Sequence, residues 1–563
     1  MSLWEAKGFW MRDNIHWPRP VHPLFVSYGL LPVEVGSARA YEEWSIPSLK
    51  YAYLVLHGYV FQRIEPLGGD TPPIMERFPF LFHLWRINPK FRSRVLGFER
   101  FLKEKRFESH VYAWRDVWEP EAQMRLERIR DFDRANASFE ELANHLDQCY
   151  DFLCWSWNPH VKIVMFGMYI RGRWVEVCER LLKLTDFEAY ELVQMNDPVV
   201  LNTTNRLLTL AQRAAADPMV RESLSLPSEK ALQLLSHTWF KEELDQFLET
   251  EGDRPADSFE FTPTWREMPE IVVGIIKGLM DSDDSMTEDS DFQAYRLQRI
   301  NELRSTLTGK DQEEFDAWLE LAEQAQPLSE IHDYILMTVP LSLTRYTAIE
   351  VGRRFVQNRI LDSSDDTLFL YREELLSALR GNYNLANLKG LVAKRKAEHT
   401  KNFSLVPPQT IGKMPIEPPW DVFPPLVAEG LKIFVKQTSH LEAYQEASRE
   451  LSPEGELFGT PGSPGVAEGP VRIIHTAEEF HLVQEGEVLV CPFTTPTWTV
   501  LFPRVVALIT DSGGVLSHAA IVSREYRLPS VVGTINGTKL LHNGQRVRVD
   551  GAAGKLQVLD ENS

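Results

Sequence analysis

Residues 511–525 read DSGGVLSHAAIVSRE, and they place a histidine where it can do chemistry. The run before them, VVALIT (505–510), has the apolar, β-branched make-up of a strand, and the run after His518 reads as a helix. Two glycines permit a tight turn between the two. With Ser517 as N-cap, His518 is the first helical residue, and the backbone N–H groups of Ala519 and Ala520 point out of the helix start. Gly513, Gly514, Ser517, Ala519 and Ala520 then make an anion cradle around the ring. The positive helix end disfavours an imidazolium and keeps His518 neutral and nucleophilic near pH 7. A transient phosphohistidine needs that combination, and the small residues after His518 leave room for a phosphoryl group. The spacing of two glycines and Ser-His alone is also met by a histidine that only caps or packs, so the rest of the chain must decide. Glu525 lies on the same helix face and either orients the ring or makes a surface pair, whereas Arg524 falls on another face and serves structure.

The elements around this motif form an alternating module. After Gly469 come strand-like runs VRIIH (471–475), EVLVC (487–491), VVALIT (505–510), SVVG (530–533), RVRVD (546–550) and KLQVL (555–559), with one helix, 518–526, among them. This is an α/β module of about 110 residues. Ahead of it, Lys401–Pro425 holds seven prolines and reads as a semi-rigid tether outside any core, followed by a short helix over 426–451. From Pro79 to Leu391 apolar residues recur at three and four, as in FEELANHLDQCYDFLCW and DQEEFDAWLELAEQA, which predicts helices. Residues 2–66 are rich in aromatics and prolines, with one strand predicted over Tyr51–Arg63. The acidic run Met280–Phe292 lacks the central glycine and final glutamate of a calcium loop and reads as a solvated loop. The expected fold is multidomain: a large, mainly α-helical region (1–400), a linker and hinge (401–456), and a C-terminal α/β module (457–563).

Composition narrows the function. A net charge of −20 over 563 residues argues against a nucleic-acid surface. The four cysteines, Cys149, Cys154, Cys178 and Cys491, show neither metal spacing nor a disulfide framework, which suits a reducing cytoplasm. The longest apolar stretches, 161–170 and 271–280, are about half a membrane span, so a cytoplasmic protein without a membrane segment is expected.

The C-terminal stretches GTPGSPGVAEGPVRII, EGEVLVCPFTTPTW, GGVLSHAAIVSREYRLPSVVG and NGQRVRVDGAAGKLQVL resemble the swivelling phosphohistidine domain of the PEP-utilising enzymes, over about a hundred residues. The resemblance implies that His518 carries the phosphoryl group. Two departures are visible. Arg527 stands where a glycine usually ends the helix, so its cap is expected to form differently, and Leu516 stands where several dikinases have a polar residue. DNIHWPRPVHPLF (13–25), FLETEGDRPADSFEFTPTWREMP (247–269) and VGRRFVQNRILDSSDDTLFLYREEL (351–375) are similar to stretches of rifampicin phosphotransferases, with Asp253 in place of the usual histidine. By that likeness, residues 1–400 form an acceptor-binding domain. Nothing resembles an ATP-grasp domain or a PEP/pyruvate barrel. The arrangement therefore looks like the larger subunit of phenylphosphate synthase, which implies Mg-ATP bound by a separate ATP-grasp subunit and a small aromatic hydroxyl compound as acceptor.

Other residues are weaker candidates. Arg254, Glu330, Arg345 and Arg353 fall in helical stretches that the likeness places around the acceptor, and arginine suits phosphate or carboxylate; Glu350 and Arg354 are spaced for an ordinary helix ion pair. His16, His57, His160 and His332 can each serve as a general base toward a hydroxyl, and the sequence does not rank them. Trp155, Trp157, Phe166 and Tyr169 suit either a pocket for a planar substrate or a core. Two rival functions stay open: a PEP/pyruvate-linked phosphotransferase, and a phosphocarrier or regulatory subunit with no acceptor site of its own.

Overall fold

The computed structural model describes residues 4–14, 16–67, 85–193, 198–256, 261–280, 289–413, 419–438, 451–494, 496–514 and 517–559. The chain divides into two units, one of Met1–Phe166, Phe259–Phe261 and His332–Lys432, the other of Gly167–Ser258, Thr262–Ile331 and Ile433–Ser563.

In the first unit, β1 (Trp10–Arg12), β2 (Ser48–Leu56), β3 (Tyr59–Pro66) and β4 (Thr410–Ile411) form an antiparallel sheet in the order β2-β3-β1-β4. The single strand expected over 51–63 is thus a hairpin. Its turn is His57-Gly58, with φ of 53° and 80°, the positive values that match the twist of the flanking strands. Only glycine fits at position 58, where a Cβ would lie 2.7 Å from Pro20 Cβ.

β4 corrects a second expectation, because it lies inside the stretch read as a free tether. Ile411 is buried with Trp10, Ala52, Tyr59 and Phe61, and the N–H of Arg12 donates to the carbonyl of Gln409 at 2.8 Å. The prolines flank this short pairing instead of interrupting it, so they remove no ladder donor. Residues 414–418 of that stretch lie outside the described residues.

Helices make up most of the rest of this unit. The helix Phe139–Leu182, whose residues up to Phe166 belong to this unit, carries Pro159 in its interior, which takes one backbone donor out of the helical ladder next to His160. The helix Leu328–Asp333 continues into a π-helical turn, Tyr334–Thr338, before Val339–Gln357 resumes α-helical geometry.

The second unit is built on an eight-stranded sheet of β5 (Glu456–Phe458), β6 (Thr460–Ser463), β7 (Val466–Ile473), β8 (Glu487–Cys491), β9 (Val505–Thr510), β10 (Ser530–Val532), β11 (Arg546–Asp550) and β12 (Lys555–Val558). Its order is β5-β12-β11-β7-β8-β9-β10-β6, and β7 to β10 run parallel at the centre. Parallel strands are covered on both faces, which explains the unbroken apolar run EVLVC. Along β8 the side chains alternate: Val488 and Val490 pack with Val547 and Val549, while Leu489 and Cys491 join a second cluster. That second cluster includes Phe247, Trp265, Val272 and Ile276 from the helices Trp239–Glu251 and Pro269–Leu279 and the segment between them.

The division expected at residue 400 is therefore drawn elsewhere. Helical residues from 207 to 279 share one core with the C-terminal sheet, because the sheet's apolar second face needs a cover. β5, β6 and the short helix Gly537–Leu540 add to the expected elements, and the helix expected over 426–451 is Pro425–Thr438, with 439–450 outside the described residues. Most of the acidic run, residues 281–288, also lies outside them.

Candidate functional site

β8 and β9 are adjacent and parallel, pairing Cys491 with Thr510 at their ends, so the loops that leave them emerge side by side. The carboxyl ends of parallel strands are where open α/β sheets place their ligands. After β9, the N–H of Asp511 donates to the Cys491 carbonyl at 3.0 Å and that of Ser512 to the Pro492 carbonyl at 2.9 Å. Gly513 takes a φ of 128°, and a Cβ there would sit 2.8 Å from Ser517 Oγ. Gly514 accepts the Ser517 N–H at 2.9 Å. Ser517 is the N-cap of the eight-residue helix His518–Glu525, and its hydroxyl accepts from the Ala520 N–H at 3.3 Å. That bond corrects one expectation: the N–H of Ala520 serves the cap and does not point outward. Residues 515 and 516, and the side chain of Glu525, lie outside the described set.

The partly buried His518 ring is held by a residue that the sequence reading did not single out. Thr494, three residues beyond β8, places Oγ1 3.0 Å from His518 Nδ1. The signal was the position of CPFTT at the end of a strand neighbouring VVALIT, which only the sheet order reveals. Asp511 ties the turn down from below. Burial pushes its carboxyl above the usual carboxylate range, opposed by hydrogen bonds from the Thr538 hydroxyl and from the Thr538 N–H at 2.9 Å.

The far end of the helix corrects the expectation about Arg527. The cap forms in the ordinary way, with Arg527 in the left-handed conformation at φ 50°. Its N–H donates to Arg524 O at 3.0 Å and the Leu528 N–H to Ser523 O at 2.8 Å, the paired bonds of a Schellman motif. Arg524 is structural, donating from Nε to Gly462 O at 2.8 Å and lying over the Tyr190 ring.

In the first unit the structure brings together histidines that the sequence left unranked. Asp13 is buried, and both its carboxylate oxygens lie within 3.0 Å of His16 Nδ1. Burial alone would lower the His16 pKa, but the charge and hydrogen bond of Asp13, with the charge of Asp333, outweigh it and hold the ring above the ordinary range. DNIH at positions 13–16 is therefore an oriented Asp–His dyad that the sequence reading overlooked, although its i,i+3 spacing was visible. Nearby, His332 Nε2 lies 3.0 Å from His160 Nδ1, and Asp333 Oδ1 lies 3.2 Å from His160 Nδ1 and 3.3 Å from His332 Nε2. Burial would raise the Asp333 carboxyl, and the charges of His332, His160 and His16 bring it below its ordinary range. The His16 side chain is 54% accessible and that of Asp333 29%, and Tyr51 and Tyr53 are partly accessible. Of the four aromatics considered, Trp157 meets this cluster, edge-on to His160 at 4.4 Å between ring centres, whereas Phe166 is core and Arg125 covers Trp155. Tyr169 packs near Trp318 in the second unit. His57 is a turn residue.

The predicted arginines do not converge. Arg254, buried in the second unit, is committed to Glu251 at 2.8 Å and Thr203 at 3.2 Å. Arg345, buried in the first unit, donates to Phe261 O at 2.7 Å and pairs with Asp365. Arg353 is 66% exposed beside Glu350, and Arg354 makes the expected pair with Glu350 at 2.9 Å. Glu330 lies on the helix Leu328–Asp333, and its side chain is outside the described set.

An eight-stranded mixed sheet presenting a histidine at a capped helix start defines a domain class. Residues 483–554 match the mobile domain of PEP-utilising enzymes, and 159–330 match the fourth domain of rifampicin phosphotransferase. Over these two stretches the chain is similar to PEP-utilising enzymes. It is 25% identical over 582 residues to the uncharacterized phosphotransferase YvkC of Bacillus subtilis, covering 99% of this chain and 63% of that protein. It is 28% identical over 328 residues to a rifampicin phosphotransferase of Bacillus cereus, covering 57% of this chain and 34% of that one. A likeness to chondramide synthase cmdD of Chondromyces crocatus, 26% over 593 residues, takes in 99% of this chain and 14% of the relative. The chain thus spans less than two thirds of each of these relatives. Among the described residues, no helix is long and apolar enough to cross a membrane.

Proposed function

We propose that this chain is a phosphotransferase that passes a phosphoryl group from Mg-ATP, through phospho-His518, to an organic hydroxyl. The observation that carries the reading is the Thr494–His518 contact at the capped helix start. If His518 Nδ1–H donates to Thr494 Oγ1, the lone pair of Nε2 is left as the nucleophile. Ala519, at the second helical position, offers its N–H to an oxygen of the arriving phosphoryl group.

In the first half-reaction, Nε2 attacks the β-phosphorus of ATP held by an ATP-grasp unit outside these 563 residues, the bond to the α-phosphate breaks to release AMP, and water then removes the γ-phosphate from the pyrophosphoryl-histidine as inorganic phosphate, the products that the family resemblance implies. In the second, the acceptor oxygen attacks phosphorus, the N–P bond breaks, and the hydroxyl proton passes to a base. His16, oriented by Asp13 in the first unit, suits that role. The partly accessible Tyr51 and Tyr53, with Trp157 against His160, favour a flat aromatic body, and a phenol fits with least demand on the base because its pKa is about 10. Relatives named for rifampicin phosphorylation support an organic hydroxyl over pyruvate. The test is to charge His518, remove ATP, and add phenol or pyruvate in parallel. Faster loss of the phosphoryl group with phenol, giving an aryl phosphate, is expected; discharge by pyruvate and not by phenol would overturn the acceptor assignment.

A further inference from the structure

The geometry points to a binding site for one divalent first-row transition-metal ion in the first unit, held by His160 Nδ1, His332 Nε2 and Asp333 Oδ1. The three atoms form a triangle with sides of 3.0, 3.2 and 3.3 Å. An ion at bond lengths of about 2.05 Å from each would see them at angles of roughly 94° to 107°, between octahedral and tetrahedral values. All three ligands then lie on one side of the ion, and its other positions stay open.

Hydrogen bonding alone does not account for this triangle. With the carboxylate ionised, as an ordinary aspartate is at neutral pH, Asp333 Oδ1 can only accept. If both imidazole nitrogens carry protons toward it, two N–H groups face each other across 3.0 Å. If only one carries a proton, the other nitrogen's lone pair faces the carboxylate. Every such arrangement leaves one repulsive edge, whereas a cation at the centre makes all three contacts favourable. Asp333 Oδ1 is itself buried and accepts no well-oriented hydrogen bond, although two ring nitrogens lie within 3.3 Å. Trp157, edge-on to His160, has a buried Nε1 with no hydrogen-bond partner among the described residues, which suits a further polar ligand here.

The local backbone also fits a built site. His160 follows Pro159, and Asp333 leads directly into the π-helical turn Tyr334–Thr338, a geometry that recurs at functional positions. A second π-helical turn, Trp114–Trp118, sets the Trp114 ring against His332. Two imidazole nitrogens favour zinc, cobalt, nickel or iron over magnesium or calcium, which prefer all-oxygen sites. An acceptor hydroxyl at an open position of the ion would lose its proton more readily, and that use rests on the phosphotransfer reading; the binding site does not.

The experiment is titration of the metal-stripped full chain with Co2+, followed by its visible absorption and by calorimetry, with excess Mg2+ present. One equivalent should bind with a ligand-field band, and Asp333→Asn and His160→Gln should each weaken binding at least tenfold while keeping the wild-type far-ultraviolet circular dichroism. Both residues are partly accessible, so they are safer to replace than fully buried His332. Absence of the band in the wild-type chain, or equal binding by folded variants, would overturn the proposal. A chain that binds cobalt but transfers no phosphate would leave the site standing and remove the phosphotransfer reading. Transfer without any metal binding would do the reverse.

Discussion

Gly513→Ala puts a magnitude on the turn that presents His518. Three costs add at this position. A φ of 128° is a region that L side chains rarely enter, which costs on the order of 1–2 kcal/mol. The added Cβ would also lie 2.8 Å from Ser517 Oγ, 3.2 Å from Ser517 Cβ and 3.3 Å from Val532 Cβ. Overpacking of that kind costs about 1–3 kcal/mol, and pushing the serine off Ala520 forfeits a cap worth about 1 kcal/mol. The sum is about 3–6 kcal/mol. Gly544→Ala is the control, because its φ is 83° but nothing lies within 4 Å of the new Cβ, which leaves strain of about 1–2 kcal/mol alone. Urea unfolding of the full-length variants measures both, and phosphoryl transfer should fall only for Gly513→Ala. Equal destabilisation by the two substitutions would refute the claim that the turn is packed against the cap.

Arg527→Gly should stabilise the second unit by about 0.5–1 kcal/mol, read as a higher unfolding midpoint, since it relieves a left-handed residue at φ 50° while adding freedom to the unfolded chain. Thr494→Val should lower phosphoryl transfer about 10- to 100-fold with unchanged stability of the fold, because it leaves His518 Nδ1 without the hydroxyl that orients the ring; an unaltered rate would remove Thr494 from the site. Asp13→Asn should shift the acidic limb of the acceptor half-reaction to lower pH, because His16 loses the carboxylate that holds its pKa above 6.5. The sign for stability follows: the Asp13–His16 interaction stabilises fully below the unfolded pKa near 6.5 and fades as pH rises through the higher folded value, so the difference between wild type and variant should shrink over that interval.

Periodicity revealed most of the C-terminal sheet, because strands buried on both faces are unbroken apolar runs such as EVLVC and VVALIT. Ser517 and His518 were legible because capping is a local matter, decided within four residues. Thr494 was not, since its meeting with His518 depends on which strands are neighbours. The short strand Thr410–Ile411 was hidden for a different reason: two paired residues leave no period, and the flanking prolines dominate the composition. His160 and His332 stand 172 positions apart, and only the packing of the helices that carry them makes a cluster of two unranked histidines. The shared core of residues 207–279 with the sheet was equally invisible, because an amphipathic helix shows that it has a buried face but not what covers it.

The central claim is that His518 carries the phosphoryl group. Its most direct measurement is incubation of the full chain with an ATP-grasp partner and Mg-ATP labelled in its β and γ phosphates, followed by peptide mapping under alkaline conditions. An acid-labile label confined to the peptide containing His518, discharged by a hydroxyl acceptor and absent from His518→Ala, is the predicted result. Label on another residue, or turnover by purified His518→Ala, would contradict it.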